Sequence, residues 1–290
     1  MSLISKYQTS DQENNSFTGF ELELVIRTIN KCCGQSFDGY SPRSIRRLVE
    51  GIMHDEQLKY ISLLIPKILY DIAFQEKIID KMTVSYSQLF RDPSLFIKLK
   101  QDIFPQLASY PRISLWVAGC ATGEEAYSLA ILLDEAGLLE QSQIYASDIS
   151  PQALKSAGSG KLNSALTEDD EIRYRQSGGK KSLKYYFNNE NENILCQRLM
   201  SRIVFERHDL ANQASFLSAQ LVLCRNVFIY FERELQNKVL SLLLDSTTSR
   251  GYIAVGVEEN ISFCNNSSSL EIISRKAGLY RKRFSKKPIV

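Results

Sequence analysis

Short apolar runs that alternate with helical segments from Ile113 onward restrict the fold of this chain more than any other feature. The five runs are SLWVA, QIYAS, RIVFER, QLVLC and GYIAVG, and each is long enough for one buried strand. Strands that alternate with helices form a parallel sheet covered by helices. The pattern therefore predicts an α/β domain, and the later segment SRKAGLYRKRFSKK predicts a closing edge strand with a basic tail.

The chain before about residue 105 has a helical pattern and no convincing alternating strand. Ser41 and Pro42 stand where a helix cap and a first helical residue are expected, ahead of apolar residues at helical spacing. The predicted helices are 19–31, 41–54, 56–72 and 73–82. We expect a helical domain over 1–82 and a linker with a helix over 83–110. The α/β domain then occupies 111–290, with a small antiparallel subdomain inserted at about 178–207.

Composition excludes several classes of protein. A net charge of +2 and 23% charged residues give no overall attraction to nucleic acid or to acidic lipid. The two histidines stand apart, and the six cysteines form no CxxC pair, so we expect neither a metal centre nor a disulfide framework. The first twenty residues lack the apolar core of a signal peptide, and no stretch has the apolar length of a membrane span. We therefore expect a cytoplasmic protein.

The segment LWVAGCATGEEAY places two glycines, Gly119 and Gly123, where the first strand should turn into a helix. A ligand can approach backbone that carries no Cβ atoms. Glu124 and Glu125 at the helix start would repel a phosphate but suit a cationic or hydroxyl-bearing ligand. The turn therefore predicts a site for a nucleoside without phosphate.

Asp148 ends the second run, 25 residues after Gly123, where a carboxylate can accept both ribose hydroxyls. A helix cap before Pro151 is the plainer interpretation of Asp148, and the glycine turn favours the ligand. The GSGK tetrapeptide at 158–161 resembles a phosphate loop but follows a predicted helix rather than a strand, so we interpret it as a helix end.

Two further segments carry polar residues among apolar ones. In LVLCRNVFIYF, Arg225 and Asn226 follow the fourth predicted strand, where the ligands of open α/β sheets bind, and Tyr230 comes five residues after Arg225. A buried, paired arginine is the alternative. In VSYSQLFRD, polar and apolar residues are mixed just before the sheet; taken alone, this segment would be a linker.

Together, WVAGCATGEEAYSLA, IYASDISPQALKSAGSGKL, FERHDL, LCRNVFIYF and SQLFRD resemble the chemotaxis receptor glutamate O-methyltransferases, the CheR family. The resemblance runs in order along nearly the whole chain. It implies a Rossmann-like sheet that binds S-adenosylmethionine, with S-adenosylhomocysteine as product. The cofactor-binding residues that it implies are Ser85, Ser87, Arg91, Gly119, Glu125, Asp148, Asp209, Leu210, Arg225 and Asn226. Asp148 would hold the ribose, and Asp209 with Leu210 would flank the adenine.

The resemblance also implies the reaction, which esterifies glutamates on the cytoplasmic helices of chemoreceptors. Arg91 and Tyr230 would lie nearest the transferring methyl group as catalytic residues. An exposed helix face with Arg43, Arg46 and Arg47 would bind the acidic receptor, although a solvated basic face is nearly as good an interpretation. The inserted subdomain would dock a receptor tail, and the protein would be recruited to membrane-bound receptors without inserting into the membrane. The oligomeric state stays open.

The sequence departs from the family pattern in the linker, where the family has N-x-T-x-F-F-R. Ser85 replaces the asparagine, Ser87 the threonine and Leu89 the first phenylalanine. Elsewhere, Asp209 replaces an asparagine, and GVEE at 256–259 replaces a glycine-histidine-serine-glutamate run. These changes leave open a regulator that binds the cofactor without transferring methyl groups. A nucleic acid methyltransferase that uses the basic tail is a weaker alternative, because no basic stripe with interleaved aromatic residues is present.

Overall fold

The structure, a computed structural model, describes residues 17–34, 36–83, 87–188 and 193–284. Its contacts divide the chain into two compact units. The helical unit comprises Met1–Val84 and Tyr230–Leu235, and the sheet unit comprises Ser85–Ile229 and Gln236–Val290. Within the described ranges, none of the helices has the length and apolarity needed to cross a lipid bilayer.

In the part of the helical unit before residue 84 that the structure describes, the helices are α1 (Gly19–Cys32), α2 (Pro42–Asp55), α3 (Leu64–Tyr70) and α4 (Ile72–Met82). Thr18 and Glu21 form a reciprocal capping box at the start of α1, and the Ser41 side chain caps α2 ahead of Pro42. The predicted helices are therefore present. The predicted segment 56–72 becomes helical only at Ile61, through a 3₁₀ turn that leads into α3.

A seven-stranded sheet forms the centre of the sheet unit. Its strands are β1 (Ile113–Ala118), β2 (Ser142–Asp148), β5 (Ile203–Arg207), β6 (Ala219–Cys224), β7 (Thr247–Val255), β8 (Leu270–Ser274) and β9 (Leu279–Lys282). They are arranged in the order β5-β2-β1-β6-β7-β9-β8. The five strands predicted from the apolar runs are parallel to one another, which confirms the α/β fold. β9 pairs antiparallel with both β7 and β8. The expectation that the closing strand lies at the edge is wrong, because β8 takes that position.

Helices precede β1 and connect the strands that follow it. They are α5 (Pro93–Lys98), α6 (Phe104–Leu107), α7 (Glu124–Glu135), α8 (Pro151–Gly158), α9 (Glu168–Gln176), α10 (Gln197–Met200) and α11 (Arg233–Asp245). A π-helical turn over Leu99–Ile103 joins α5 to α6, just ahead of Pro105, which has no amide hydrogen for the α-helical ladder. α9 was not predicted, although Thr167 and Asp170 form a capping box at its start.

The inserted segment contains a two-stranded antiparallel sheet of β3 (Phe187–Asn188) and β4 (Ile194–Leu195). Residues 189–192 between these strands lie outside the described residues. Ile203–Arg207, which falls within the predicted insertion boundary, is strand β5 of the large sheet. The small sheet is therefore shorter than the predicted subdomain.

Candidate functional site

The carboxyl ends of four neighbouring parallel strands bring most of the predicted site residues to one edge of the sheet. Gly119 follows β1, Asp148 ends β2, Asp209 lies just beyond β5, and Arg225 follows β6 directly. Ligands of open α/β sheets bind outside these strand ends. The carboxyl ends of β5, β2, β1 and β6, called the strand edge below, therefore form the candidate site.

The turn after β1 requires glycine at its first position. Gly119 has φ +77°, and a Cβ atom there would lie 2.6 Å from Cγ2 of Val227. The amides of Gly119 and Cys120 both donate to the Ser147 carbonyl, at 2.7 and 2.9 Å, which ties the turn to the end of β2. Glycine at this end of β1 therefore allows both the left-handed backbone and the close packing against Val227.

Asp148 holds the same turn from the neighbouring strand. Its Oδ2 accepts a hydrogen bond from the Ala121 amide at 2.9 Å, and its Oδ1 accepts one from the Ser150 amide at 3.0 Å. Each carboxylate oxygen can accept more than one hydrogen bond. The half-buried Asp148 therefore combines a structural role with the acceptor chemistry that a ribose needs.

Asp209 and Leu210 form a tight turn beyond β5. Asp209 Oδ1 accepts from the Ala211 amide at 2.8 Å, and its Oδ2 accepts from Asn212 Nδ2 at 2.7 Å. The preceding residue, His208, donates its amide to the Asp148 carbonyl at 3.1 Å and packs its ring against Trp116. These contacts fix the turn beside the end of β2, with Leu210 91% buried.

Arg225 is the centre of a buried ion network. Its guanidinium pairs with Glu125 at the start of α7 and donates to the Arg91 carbonyl at 2.9 Å and to Asp92 Oδ2 at 2.7 Å. Burial disfavours its charge, but Glu125 and Asp92 raise the pKa of Arg225 above its usual value. The interpretation of Arg225 as a buried, paired arginine is therefore correct, and the pairing lies within the candidate site.

Residues 87–92, called the linker segment below, run alongside this network. Phe90 and Asp92 both adopt left-handed backbone, with φ of 54° and 55°. The Phe90 amide donates to Ser128 Oγ at 2.9 Å, and Ser87 contributes a side-chain hydrogen bond to Glu124. Arg91 thus lies between two left-handed residues. Phe90 is hydrogen-bonded to Ser128 of α7, and Asp92 is paired with Arg225 directly after β6.

Two buried carboxyl groups were not predicted as site residues. Glu124 accepts a hydrogen bond from Thr122 Oγ1 at 2.6 Å, and burial raises its pKa. Glu259 accepts hydrogen bonds from the amides of Asn226 at 2.9 Å and Ile229 at 3.3 Å, and burial raises its pKa as well. Asn226 has φ +60°, so Glu259 holds a strained turn after β6.

Comparisons with known proteins identify the family. The model described as CheR methyltransferase, SAM binding domain, matches residues 85–278. A protein named putative methyltransferase Cher3, from Pseudomonas putida, is 35% identical over 266 residues, which covers 91% of this chain and 97% of that protein. This chain belongs to the CheR methyltransferase family.

Other relatives are more distant. Chemotaxis protein methyltransferase 1 of Pseudomonas aeruginosa is 27% identical over 255 residues, 83% of this chain and 90% of that protein. Among solved structures, the N-methyltransferase NodS of Bradyrhizobium japonicum aligns with 90% of this chain and 97% of its own, with a TM-score of 0.35 and 10% identity. That structural likeness is too weak to bear on the site.

As a CheR methyltransferase, the chain binds S-adenosylmethionine. The strand edge fits this cofactor because Asp148, at the end of β2, has carboxylate oxygens of the kind that accept hydrogen bonds from ribose hydroxyls. The helix that follows begins with Glu124 and Glu125, which suits a nucleoside without phosphate. The buried Nε of Arg225 has no hydrogen-bond partner among the described residues, so the network retains one donor.

The predicted site residues fall into three groups. The sheet unit contains, among the described residues, Ser87, Arg91, Gly119, Glu125, Asp148, Asp209, Leu210, Arg225 and Asn226. Ser85 lies outside the described residues. Tyr230 belongs to the helical unit, where its carbonyl accepts the Ser41 amide at 2.8 Å. Arg43 and Arg47 are exposed on α2, whereas Arg46 donates to the Phe17 carbonyl at 3.2 Å and lies over the Phe17 ring.

Proposed function

We propose that this protein transfers the methyl group of S-adenosylmethionine to glutamate side chains on the cytoplasmic helices of a bacterial chemoreceptor. Membership of the CheR family supports the cofactor, and relatives named chemotaxis protein methyltransferase support the receptor as acceptor. The observation that carries the proposal is the ion network of Glu125, Arg225 and Asp92, which ties the linker segment with Arg91 to the strand edge.

A glutamate acceptor suits a site in which neither predicted catalytic residue is a base. A glutamate side chain with an ordinary pKa of about 4.3 is ionised at neutral pH and needs no general base. Bound S-adenosylmethionine supplies a methyl group made electrophilic by its sulfonium. In our proposal Arg91 orients the carboxylate, and Tyr230 stays a sequence-based prediction as the second catalytic residue. A C–O bond then forms as the S–C bond breaks, which leaves the glutamyl methyl ester and neutral S-adenosylhomocysteine.

Most of the proposed rate enhancement therefore comes from positioning, because holding the reactants in near-attack geometry can lower the activation barrier by several kcal/mol. Among the described residues, the Arg91 side chain makes no ion pair, whereas Arg225 pairs with both Glu125 and Asp92. A cation that is already paired would orient an acceptor poorly. This difference supports Arg91, rather than Arg225, as the residue that meets the acceptor.

The direct test uses S-adenosylmethionine with a labelled methyl group and membranes that contain a methyl-accepting chemoreceptor. We expect label on the receptor that is released by mild base, because esters hydrolyse and methylated amines do not. Cofactor binding without label transfer would instead support a regulator of the same fold. Label on RNA would support the nucleic acid alternative, and either result would contradict the proposal.

The exposed face of α2 is our proposed receptor-binding surface, with Arg43 and Arg47 as its contacts. Arg46 is held by Phe17, so we assign it a smaller part than the other two. Reversal of both exposed arginines, Arg43→Glu with Arg47→Glu, should raise the KM for receptor at least several-fold and leave cofactor affinity unchanged. It should also weaken the dependence of KM on salt.

The matched control is Lys31→Glu with Lys59→Glu. Both lysines are exposed in the same unit, and their reversal changes the net charge by the same amount. If both double variants change the KM equally, the effect is one of net charge and the assignment to α2 fails. Docking of a receptor tail on residues 178–207 stays a prediction, because 189–192 lie outside the described residues. A pull-down with receptor tail peptides tests it.

A further inference from the structure

Arg173 in α9 reaches the linker segment from outside the strand edge. Its Nε donates to the Leu89 carbonyl at 3.0 Å, and its Nη2 pairs with Asp170 in the same helix. The side chain of Arg173 is 23% exposed, while that of Arg175, two residues later, is 50% exposed and pairs with Glu171. Arg173 is therefore packed against the linker segment, and Arg175 faces solvent.

The linker segment has a backbone that must be held in place. Left-handed conformation costs a residue other than glycine about 1–2 kcal/mol, and Phe90 and Asp92 both adopt it. Such strain persists only where surrounding contacts determine the conformation. Here the contacts follow one another along the chain: Arg173 on the Leu89 carbonyl, Ser128 on the Phe90 amide, and Arg225 on the Arg91 carbonyl.

Packing supports the same connection. α9 lies against α5, the helix that begins directly after the linker segment. The ring of Tyr174, next to Arg173, lies 5.2 Å from the ring of the fully buried Phe90. Two of the three contacts to the linker segment come from Ser128 in α7 and from Arg225 directly after β6. The third comes from Arg173 in α9, outside the strand edge.

We propose that Arg173 is a positioning residue for methyl transfer: by fixing the Leu89 carbonyl it sets the direction of Arg91 two residues later. This inference rests on the proposed role of Arg91. Arg173 itself need not touch cofactor or acceptor. Its loss would leave a backbone carbonyl without its donor and release one of the contacts that hold a strained segment.

The test compares Arg173→Ala with Arg175→Ala, its exposed neighbour. We expect Arg173→Ala to lower kcat for receptor methylation about tenfold or more, since small displacements of a reacting group cost that much. The KM for the cofactor and the Kd for S-adenosylhomocysteine should change less than threefold. Arg175→Ala should stay within twofold of the unchanged protein, because exposed ion pairs contribute little. Arg173→Lys should fall between, since it retains one donor without the planar fork.

Hydrogen exchange gives a readout independent of the acceptor. Peptides that cover residues 87–99 should exchange faster in Arg173→Ala than in Arg175→Ala, with the rest of the sheet unit unchanged. A double-mutant cycle then tests whether Arg173 acts through Arg91. In an Arg91→Lys background, Arg173→Ala should lose most of its effect on kcat.

The outcomes separate the inference from the proposed function. Unchanged exchange together with unchanged kcat in Arg173→Ala overturns the inference. A normal rate in Arg91→Ala, whatever Arg173→Ala does, overturns the role of Arg91. A full tenfold loss that persists in the Arg91→Lys background would show that Arg173 acts by another route, which also overturns the inference.

Discussion

The glycine turn after β1 and the linker segment both contain backbone with positive φ, but they obtain it differently. At the turn, Gly119 and Gly123 adopt φ of +77° and +96° with no Cβ atom to strain. In the linker segment, Phe90 and Asp92 adopt similar values as ordinary residues, and side chains from α7, α9 and β6 hold them. The turn thus depends mainly on its glycines and on Asp148, which holds Ala121 at φ 47°, whereas the linker segment depends on contacts from three other elements.

This difference suggests separate tasks. A turn that depends on its own glycines and on the adjacent strand β2 responds little to changes elsewhere in the unit. A segment that depends on distant contacts responds to changes elsewhere in the unit, and it carries Arg91, the residue that we expect at the acceptor. Changes at the turn should therefore affect cofactor affinity, while changes at the linker segment should affect transfer.

The largest effect should follow loss of Arg225, because the linker segment depends on it. Replacement of Arg225 with methionine leaves Glu125 with only 11% of its side chain exposed and without its cation. Loss of one partner of a buried ion pair costs about 3–5 kcal/mol of unfolding free energy. Urea denaturation measures it, and Lys276→Met, an exposed cation in the same unit, is the control. Addition of Glu125→Gln should recover part of the loss; no recovery would contradict the network.

A smaller effect is expected at the glycine turn. Gly119→Ala requires left-handed backbone of alanine, which costs about 1–2 kcal/mol, and its Cβ would lie 2.6 Å from Val227 Cγ2. We expect lower unfolding free energy and weaker binding of S-adenosylhomocysteine, both partly restored by Val227→Ala. Gly51→Ala is the control, since Gly51 lies in α2 with nothing within 4 Å of its added Cβ. Equal effects of the two changes would show that the turn has no special geometry.

The sequence predicted the locally determined region well. The glycines, Asp148 and the apolar runs are signals that act over a few residues, and the structure places them at the ends of neighbouring strands. The left-handed backbone of Phe90 could not be predicted, because a bulky side chain disfavours it, and aspartate tolerates that backbone too weakly for Asp92 to be predicted alone. The edge strand β8 was also missed, since LEIIS has two exposed residues and a pattern too weak to assign.

Buried carboxyl groups show a second limit of sequence analysis. The burial of Glu124 and Glu259 cannot be seen in the sequence, and only the fold reveals that each accepts hydrogen bonds inside the protein. α9 could have been predicted, because Thr167 and Asp170 are a recognisable capping box. Its first turn carries four acidic residues and its sequence is polar throughout, so no apolar periodicity marks it as a helix.

The smallest expected effect is a change in pH dependence at Glu124. Because burial raises the pKa of Glu124, the folded protein binds this proton more tightly than the unfolded chain does. Stability from this group is therefore present at low pH and is lost as pH rises from the unfolded value of 4.5 through the folded pKa. Glu124→Gln removes the dependence, so its stability relative to the unchanged protein should increase over this window. Urea denaturation from pH 4.5 to 7 checks it, and a constant difference would contradict the assignment.

The division between cofactor binding at the strand edge and transfer at the linker segment is tested most directly by two variants measured side by side. Calorimetry with S-adenosylhomocysteine gives affinity, and single-turnover label transfer to receptor membranes gives the rate with cofactor saturating. Asp148→Ala should weaken affinity at least tenfold, the equivalent of one charge-assisted hydrogen bond or more, and change the saturated rate little. Arg91→Ala should lower the rate far more than the affinity. Equal losses of affinity and rate in both variants would contradict this division.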